Sequence, residues 1–310
     1  MNKREVVQAI LGSRIHHAPT IETTVFAPTN IALCKYWGKR DQELNLPVTS
    51  SLSISLDDKG AYTTFSVIEK EEDEIILNDA PVLLSSSFAK RLINFLNLFR
   101  NKERFKIILK STIPIAAGLA SSAAGFASIV KGLDALYDWK LSLTELSLLA
   151  RLGSGSACRS LWSGFVLWNK GEREDGMDSY AELFHPHWEK LRVKILMVSE
   201  SEKSLSSREA MQRTIETSKL YSKWPNKVQD DLEKIKHAIL TNDFKLLGET
   251  AESNALFMHE TMKNAHPPIE YSSEKTYALM QRVWDLRNQG VSIYFTQDAG
   301  PNLKLLYLDN

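Results

Sequence analysis

The sequence predicts an α+β fold with a cleft between two halves, and three observations carry that reading. Strand-like and helix-like patterns are mixed along the chain. A strand-like segment, Phe105 to Lys110, runs through a loop of small residues into an apolar helix. Much later, Arg192 to Ser199 reads as a strand of alternating type that starts a second half. At 310 residues the chain can bury a substantial core, as one large domain or two intimately joined ones.

Composition narrows the class. Hydrophobic content of 43% and charged content of 25% are ordinary for a soluble globular protein. With 38 basic and 38 acidic residues the net charge is zero, so no global field favours nucleic acid or an acidic membrane surface, and any anion site must be local. The apolar stretch Val6 to Gly12 is too short and interrupted for a secretory signal, and no run approaches a membrane span, so a cytoplasmic location is expected. Cys34 and Cys158 stand far apart without metal-ligand spacing, which predicts two reduced, buried side chains.

In chain order, residues 1–20 show little periodicity and read as an extension. Thr23 to Phe26 is β-rich; Ala27-Pro28-Thr29-Asn30 predicts a break before the apolar stretch Ile31 to Cys34 and its basic and aromatic end, Lys35-Tyr36-Trp37-Gly38-Lys39. Leu52, Ile54 and Leu56 recur at strand period, and Ala61 to Ile68 is a further strand expected to pair nearby. The charged stretch Glu69 to Glu74 reads as a solvated turn. Ser85 to Phe99 is helical by the spacing of Phe88, Leu92, Phe95 and Phe99, as is the segment carrying Phe126, Ile129, Leu133 and Leu136. Leu143 to Leu152 is a helix with Ser142 or Thr144 as its cap, and Phe165 to Trp168 is a short strand. Helices are predicted from Ser204 onward through Leu220, Val228 to Leu240, Phe244 to Met262 and Tyr277 to Leu286, with breaks near Pro225 and at His266-Pro267-Pro268. Val291 to Phe295 and Leu303 to Leu308 are strands around the turn Gln297 to Asn302.

The loop Pro114 to Gly125 has two readings. Gly118 permits a positive φ, and small side chains let amides approach an anion at a helix N-terminus, which makes a phosphate cradle. The same Ala and Gly residues also suit a tight helix contact. No Gly-Lys-Ser/Thr ending follows, so it is not a P-loop.

The polar groups at element ends are Lys35, Tyr36 and Lys39; Ser121 and Ser122; Ser154, Ser156 and Arg159; Ser206, Ser207 and Arg208; and Asp298. That set suits a polyanionic substrate better than a hydrolytic triad, because Arg grips carboxylates through paired hydrogen bonds and Lys supplies point charges for phosphate. Each residue also has a plainer account: Lys35 and Lys39 as one solvated helix face, Arg159 in a structural ion pair, Arg208 on a helix surface, Asp298 in an Asx-turn. His259 and His266 lack a metal partner at useful spacing and read as structural.

Three stretches go further: Thr29 to Lys39, Gly153-Ser154-Gly155-Ser156-Ala157-Cys158-Arg159-Ser160, and Asp298-Ala299-Gly300-Pro301-Asn302. Together with the small-residue loop, their order and spacing make the chain, from Ala27 to Leu308, resemble mevalonate diphosphate decarboxylase of the GHMP kinase superfamily. The resemblance implies the GHMP kinase fold, with a ribosomal-protein-S5-domain-2-like N-terminal half (1–191) and a ferredoxin-like C-terminal half (192–310) around a deep cleft. It implies conversion of mevalonate 5-diphosphate to isopentenyl diphosphate with ATP and Mg²⁺, and a homodimer with neither nucleic-acid nor membrane partners. By the same resemblance Asp298 faces the C3 hydroxyl, Lys35 neutralises charge beside it, and Arg159 holds the C1 carboxylate. Tyr36, Lys39, Ser154, Ser156 and Ser206 or Ser207 would bind the substrate diphosphate. Pro114, Ala117, Gly118, Leu119, Ala120, Ser121 and Ser122 would bind ATP, the two serines also meeting Mg²⁺.

Two departures stand out. The extension through Thr20 is longer than the family pattern requires, and Gln297 stands where the family usually has Phe. Rival readings within the superfamily are a mevalonate 3-kinase and a phosphomevalonate decarboxylase; from another class, a non-catalytic phosphometabolite sensor.

Overall fold

A computed structural model describes residues 1–113, 121–198 and 205–309, the side chain of Ser121 excepted. The chain begins with a helix, α1 (Lys3–Leu11), where sequence periodicity predicts only an extension. Asn2 caps it and the Glu5 carboxylate accepts from the Asn2 amide, so Asn2-x-x-Glu5 is the signal that marks it. Val6, Val7, Ile10 and Leu11 bury in the larger core.

The strand β1 (Glu22–Cys34) runs straight through the predicted break. Pro28 has no N–H to offer, and it sits where the pairing shifts: its partner is Gly60, Thr29 pairs with Leu56, and Asp57, Asp58 and Lys59 bulge into solvent between them. After the small hairpin β2 (Lys39–Asp41) and β3 (Leu46–Pro47), the two segments predicted as separate strands form one, β4 (Ser51–Ile68). They therefore do not pair with each other; β1 lies antiparallel along both.

Next come β5 (Glu74–Leu77), β6 (Ala80–Pro81), α2 (Ser87–Leu96) and β7 (Arg104–Ser111). They are followed by α3 (Ser121–Tyr137), α4 (Leu143–Gly153), β8 (Phe165–Trp168) and β9 (Ala181–His185), the last not foreseen. Ser142 is the cap of α4, with Glu145 closing its capping box. The seven-stranded sheet has the order β6-β5-β7-β4-β8-β9 with β1 on β4, and α3 packs across β1 and β4.

One residue of the charged stretch is not solvated. Asp73 is buried, holds Arg100 through paired bonds of 2.6 Å each, and accepts from the Phe105 amide at 2.9 Å. Removing one partner strands a buried charge, so Arg100→Met is expected to lower unfolding free energy by ~3 kcal/mol. Urea titration checks this; a loss under ~1 kcal/mol, the range of a surface pair, contradicts it.

The remaining elements are β10 (Leu191–Leu196), α5 (Ser207–Thr217), α6 (Trp224–Thr241), α7 (Phe244–Lys263), α8 (Glu274–Asn288), β11 (Ile293–Gln297) and β12 (Leu303–Leu308). Pro225 does not break a helix but stands in the first turn of α6, where its missing N–H leaves no gap in the ladder. β12 is central in the antiparallel sheet β10-β12-β11. A second core joins Leu33, Cys34, Trp37 and Leu52 to Trp224, Ile235, Leu247 and Met258 of α6 and α7. The end of β1 is thereby fixed against the later helices, which sets the position of Lys35. Among the described residues no helix is long and apolar enough to cross a membrane.

Candidate active site

Lys35 follows the last residue of β1 and is buried, not part of a solvated helix face. The Asn254 side chain on α7 accepts from its amide at 2.8 Å, and Asn254 in turn donates to Asp231 at 2.8 Å. With the backbone held, Lys35 Nζ donates to Ala32 O at 2.8 Å and to Asp298 Oδ1 at 2.7 Å. Lys304 Nζ holds the other oxygen, Oδ2, at 2.9 Å. Burial alone would push the Asp298 carboxyl up, but Lys304 and Lys35 outweigh it and hold the group well below the usual carboxylate range. Burial pulls the Lys35 ammonium down to about 8, opposed by Asp298 and reinforced by Lys304 and Arg159. The Asp298 side chain remains 24% exposed, which leaves it a face toward a ligand.

The turn carrying Asp298 is braced from several sides. Gln297, itself buried, donates through Nε2 to Gly300 O at 2.8 Å and to Ser272 Oγ at 3.0 Å. It therefore stiffens the backbone of the turn, while the two lysines govern the carboxyl. Thr276 Oγ1 donates to Pro301 O at 2.9 Å, and Asn302 Oδ1 accepts from the Val198 amide at 2.6 Å. His259, structural by spacing, has Nε2 3.1 Å from Asp298 O. Burial lowers its pKa to about 4, so the ring is neutral near pH 7, and a carbonyl partner calls for the Nε2–H tautomer.

Arg159 ends a 3-10 turn at 155–159 and is buried. Nη1 donates to Ser51 Oγ at 2.6 Å and Nε to Asn30 Oδ1 at 3.4 Å, while the guanidinium lies 5.6 Å from the Trp168 ring centre. Burial lowers its pKa, with Asp298 and Tyr36 among the nearby groups opposing the shift, but a guanidinium stays charged. Tyr36 packs edge-on against Trp168 at 4.8 Å, and a Cβ on Gly155 would come within 2.8 Å of its hydroxyl, so only glycine fits there. Gly38, at φ +123°, passes beneath Tyr221, whose hydroxyl a Cβ would strike at 1.8 Å. Burial pushes the Cys34 thiol up and the Cys158 thiol to about 12, so neither is a nucleophile.

A second group of residues gathers positive charge around Lys39. Lys39 Nζ donates to Asn45 Oδ1 at 2.6 Å; Asn45 adopts φ +55° and donates to the carbonyls of Arg151 and Leu152. Burial lowers Lys39 to about 7, and Arg208, Arg91 and Lys3 lower it further by repulsion. Arg91 on α2 donates to Gly153 O at 2.7 Å; burial, with Arg208 beside it, brings it to about 10. Lys3 on α1 is lowered by burial and by Arg208 and Arg91, with Glu43 opposing. Arg208 is exposed, as a helix-surface residue should be, yet its charge acts on Lys3, Tyr36, Lys39 and Arg91. Lys3 and Arg91 were not among the residues that the sequence singles out, because their convergence is made by tertiary packing.

On the side of the small-residue loop, Ser122 is exposed in the first turn of α3, with its hydroxyl 3.3 Å from that of Ser154. Pro114, Ala117, Gly118, Leu119, Ala120 and the Ser121 side chain lie outside the described residues. Ser156 accepts through its backbone carbonyl from Asn30 Nδ2 at 3.2 Å. Ser206 is the N-cap of α5: its hydroxyl donates to Glu209 and accepts from the Glu209 amide, while Ser207 is the first residue of the helix. Among the described residues no cluster of His, Cys, Asp and Glu is arranged to hold a metal ion.

The chain as a whole has parallels in known proteins. Residues 27–181 match the family model for the diphosphomevalonate decarboxylase-like N-terminal domain, and residues 193–310 that for the mevalonate 5-diphosphate decarboxylase C-terminal domain. The diphosphomevalonate decarboxylase of Aspergillus fumigatus is 39% identical over 322 residues, covering 94% of this chain and 79% of that protein. The crystal structure of mevalonate diphosphate decarboxylase from Staphylococcus aureus superposes with a TM-score of 0.87 at 35% identity, covering 93% of this chain and 88% of the other. A structure in complex with MVAPP, AMPPCP and magnesium gives 0.84 at 40% identity, with 93% and 89% covered. These structures share the GHMP kinase fold, and so does this chain. The matches run in order along nearly its whole length, and the chain belongs to the diphosphomevalonate decarboxylase family.

Proposed function

We propose that the protein catalyses the ATP-dependent decarboxylation of mevalonate 5-diphosphate to isopentenyl diphosphate, with release of ADP, phosphate and carbon dioxide. The observation that carries this reading is the ion pairing of Asp298 with Lys35 and Lys304 near the buried Arg159, together with the convergence of Arg208, Arg91 and Lys3 on Lys39. The first group suits a hydroxyl beside a carboxylate; the second suits a diphosphate.

ATP with Mg²⁺ supplies the phosphoryl group that turns the C3 hydroxyl into a leaving group. Ser121 and Ser122, with Pro114, Ala117, Gly118, Leu119 and Ala120, are assigned to the nucleotide. The exposed Ser122 hydroxyl beside Ser154 fits an Mg²⁺ whose ligands are mostly phosphate oxygens and water. Asp298 orients the C3 hydroxyl: with both oxygens held by ammonium groups it is a weak proton acceptor but a fixed anion. Lys35 offsets the negative charge that gathers at C3 oxygen. Arg159 holds the C1 carboxylate as a source of electrons without protonating it, a task for a permanently charged fork anchored by Ser51 and Asn30. Tyr36, Lys39, Ser154, Ser156 and Ser207, with Arg91 and Arg208, form the diphosphate end; Ser206 supports it through the cap of α5.

The same reading places the seam between halves at 191/192, at the first residue of β10, and assigns the protein to the cytoplasm as a homodimer with twice the chain mass in sedimentation. The substrate test compares mevalonate 5-phosphate with mevalonate 5-diphosphate under ATP and Mg²⁺. The cationic wall predicts a kcat/KM preference for the diphosphate of ~100-fold or more. Preference for the monophosphate would support the phosphomevalonate decarboxylase reading instead.

Lys39 gives a pH prediction. Its pKa of about 7 must rise when a diphosphate arrives, so binding at pH 8 takes up a proton. Affinity should fall as pH rises above 7. Calorimetry of inorganic pyrophosphate binding in buffers of different ionisation enthalpy measures the uptake, which Lys39→Met should abolish. Absence of uptake in the unmodified protein would contradict it.

A further inference from the structure

Lys304 is a charge in an unusual place. It lies in β12, the central strand of its sheet, between Ile195 on β10 and Thr296 on β11, and is 1% exposed. Its neighbours in sequence are Leu303, Leu305 and Leu306. Nothing apolar there compensates an ammonium, so the residue needs an anionic partner at hand. That partner is Asp298 Oδ2 at 2.9 Å, with Asn302 O accepting at 3.3 Å.

One lysine suffices to neutralise Asp298, and Lys35 already does so at Oδ1. A second ammonium on Oδ2 adds something different: with the two oxygens held from separate segments, the end of β1 and β12, the carboxylate cannot turn about its Cβ–Cγ bond. We propose that Lys304 is a positioning residue for the phosphoryl acceptor, fixing the plane of the Asp298 carboxylate so that Oδ1, shared with Lys35, meets the C3 hydroxyl. This rests on the reaction proposed above. A near-attack geometry held to within a fraction of an ångström is where such a constraint acts, and its loss appears in kcat rather than in binding.

The groups facing Asp298 are Lys35 from the end of β1, Lys304 from β12, Arg159 from the turn at 155–159, and His259 from α7 through the Asp298 carbonyl. Removing Lys304 takes away one of the two lysines that oppose burial, so the carboxyl titrates at higher pH. The acid limb of kcat/KM must then move upward.

The test measures kcat, KM and the pH profile of carbon dioxide release from mevalonate 5-diphosphate for the unmodified enzyme, Lys304→Met and Lys304→Arg. Lys304→Met is expected to lower kcat ~30-fold with KM within ~3-fold, and to move the acid limb to higher pH. Lys304→Arg should return the limb to its original position and recover part of kcat. If the methionine variant does not fold, Lys304→Gln, which keeps a donor but no charge, is expected to show the same limb shift. A kcat within ~3-fold of the parent in a folded neutral variant, or an unmoved acid limb, overturns the role of Lys304. An unmodified enzyme that releases no carbon dioxide instead overturns the reaction itself.

Discussion

Asp298→Asn is expected to lower kcat by ~1,000-fold or more while leaving the affinity for mevalonate 5-diphosphate within a few-fold. The amide keeps the size of the side chain but removes the anion on which Lys35 and Lys304 converge. The hydroxyl loses its orienting partner, and two buried ammonium groups then face an uncharged group. Lys39, Arg91 and Arg208, proposed to hold the diphosphate, are untouched, so binding is expected to persist. Stability should change in a defined direction as well. A carboxyl held below its unfolded value contributes stability above the unfolded pKa, lost as pH falls through the folded value. The variant should therefore unfold more readily than the parent at pH 7, with the difference shrinking toward acid. Steady-state ADP release, substrate titration and thermal unfolding check these outcomes. A kcat within ~10-fold of the parent would remove Asp298 from the reaction.

Arg159→Met is expected to reduce kcat/KM by ~100-fold or more, about 2.7 kcal/mol of transition-state stabilisation. Arg159→Lys should recover little of it. The side chain is anchored to Ser51 and Asn30 through separate nitrogens, an arrangement that a single ammonium cannot reproduce. The measurement is carbon dioxide release over a range of substrate concentrations. A lysine variant within ~3-fold of the parent would show that only charge is needed there.

Much of the fold is legible wherever local pattern and burial agree. Phe165 to Trp168 and Leu303 to Leu308 read as strands from short apolar runs bounded by polar or turn residues, and the structure keeps both boundaries. Ser142 caps α4 as its hydroxyl before an apolar run suggests. Misreadings arise where tertiary pairing overrides a local signal. Pro28 looks like the end of a strand but is paired beside a bulge of β4, and the polar residues between Leu56 and Ala61 look like a turn but belong to one long strand. Asp73 sits in an acidic run that is otherwise solvated, and only Arg100, brought in from beyond α2, makes it a buried partner.

The site divides in the same way. Lys35, Arg159 and Asp298 stand in recognisable local stretches, and folding brings the acid and the lysine to 2.7 Å. Lys304 is invisible to periodicity, since a lysine within a strand ordinarily marks the outward face; the clue is its isolation in an apolar run only six residues beyond a candidate acid. Arg91, Arg208 and Lys3 come from three helices, and each has the spacing of an ordinary surface residue. Their shared influence on Lys39 exists only once the fold brings those helices to it.

The most direct test of the central claim is the ratio of carbon dioxide to ADP produced from mevalonate 5-diphosphate labelled at its carboxylate, with ATP and Mg²⁺ present. Asp298, Lys35 and Arg159 acting on one substrate predict equal amounts of the two products, with isopentenyl diphosphate formed in step. ADP and a phosphorylated product without carbon dioxide would contradict it and make the protein a kinase.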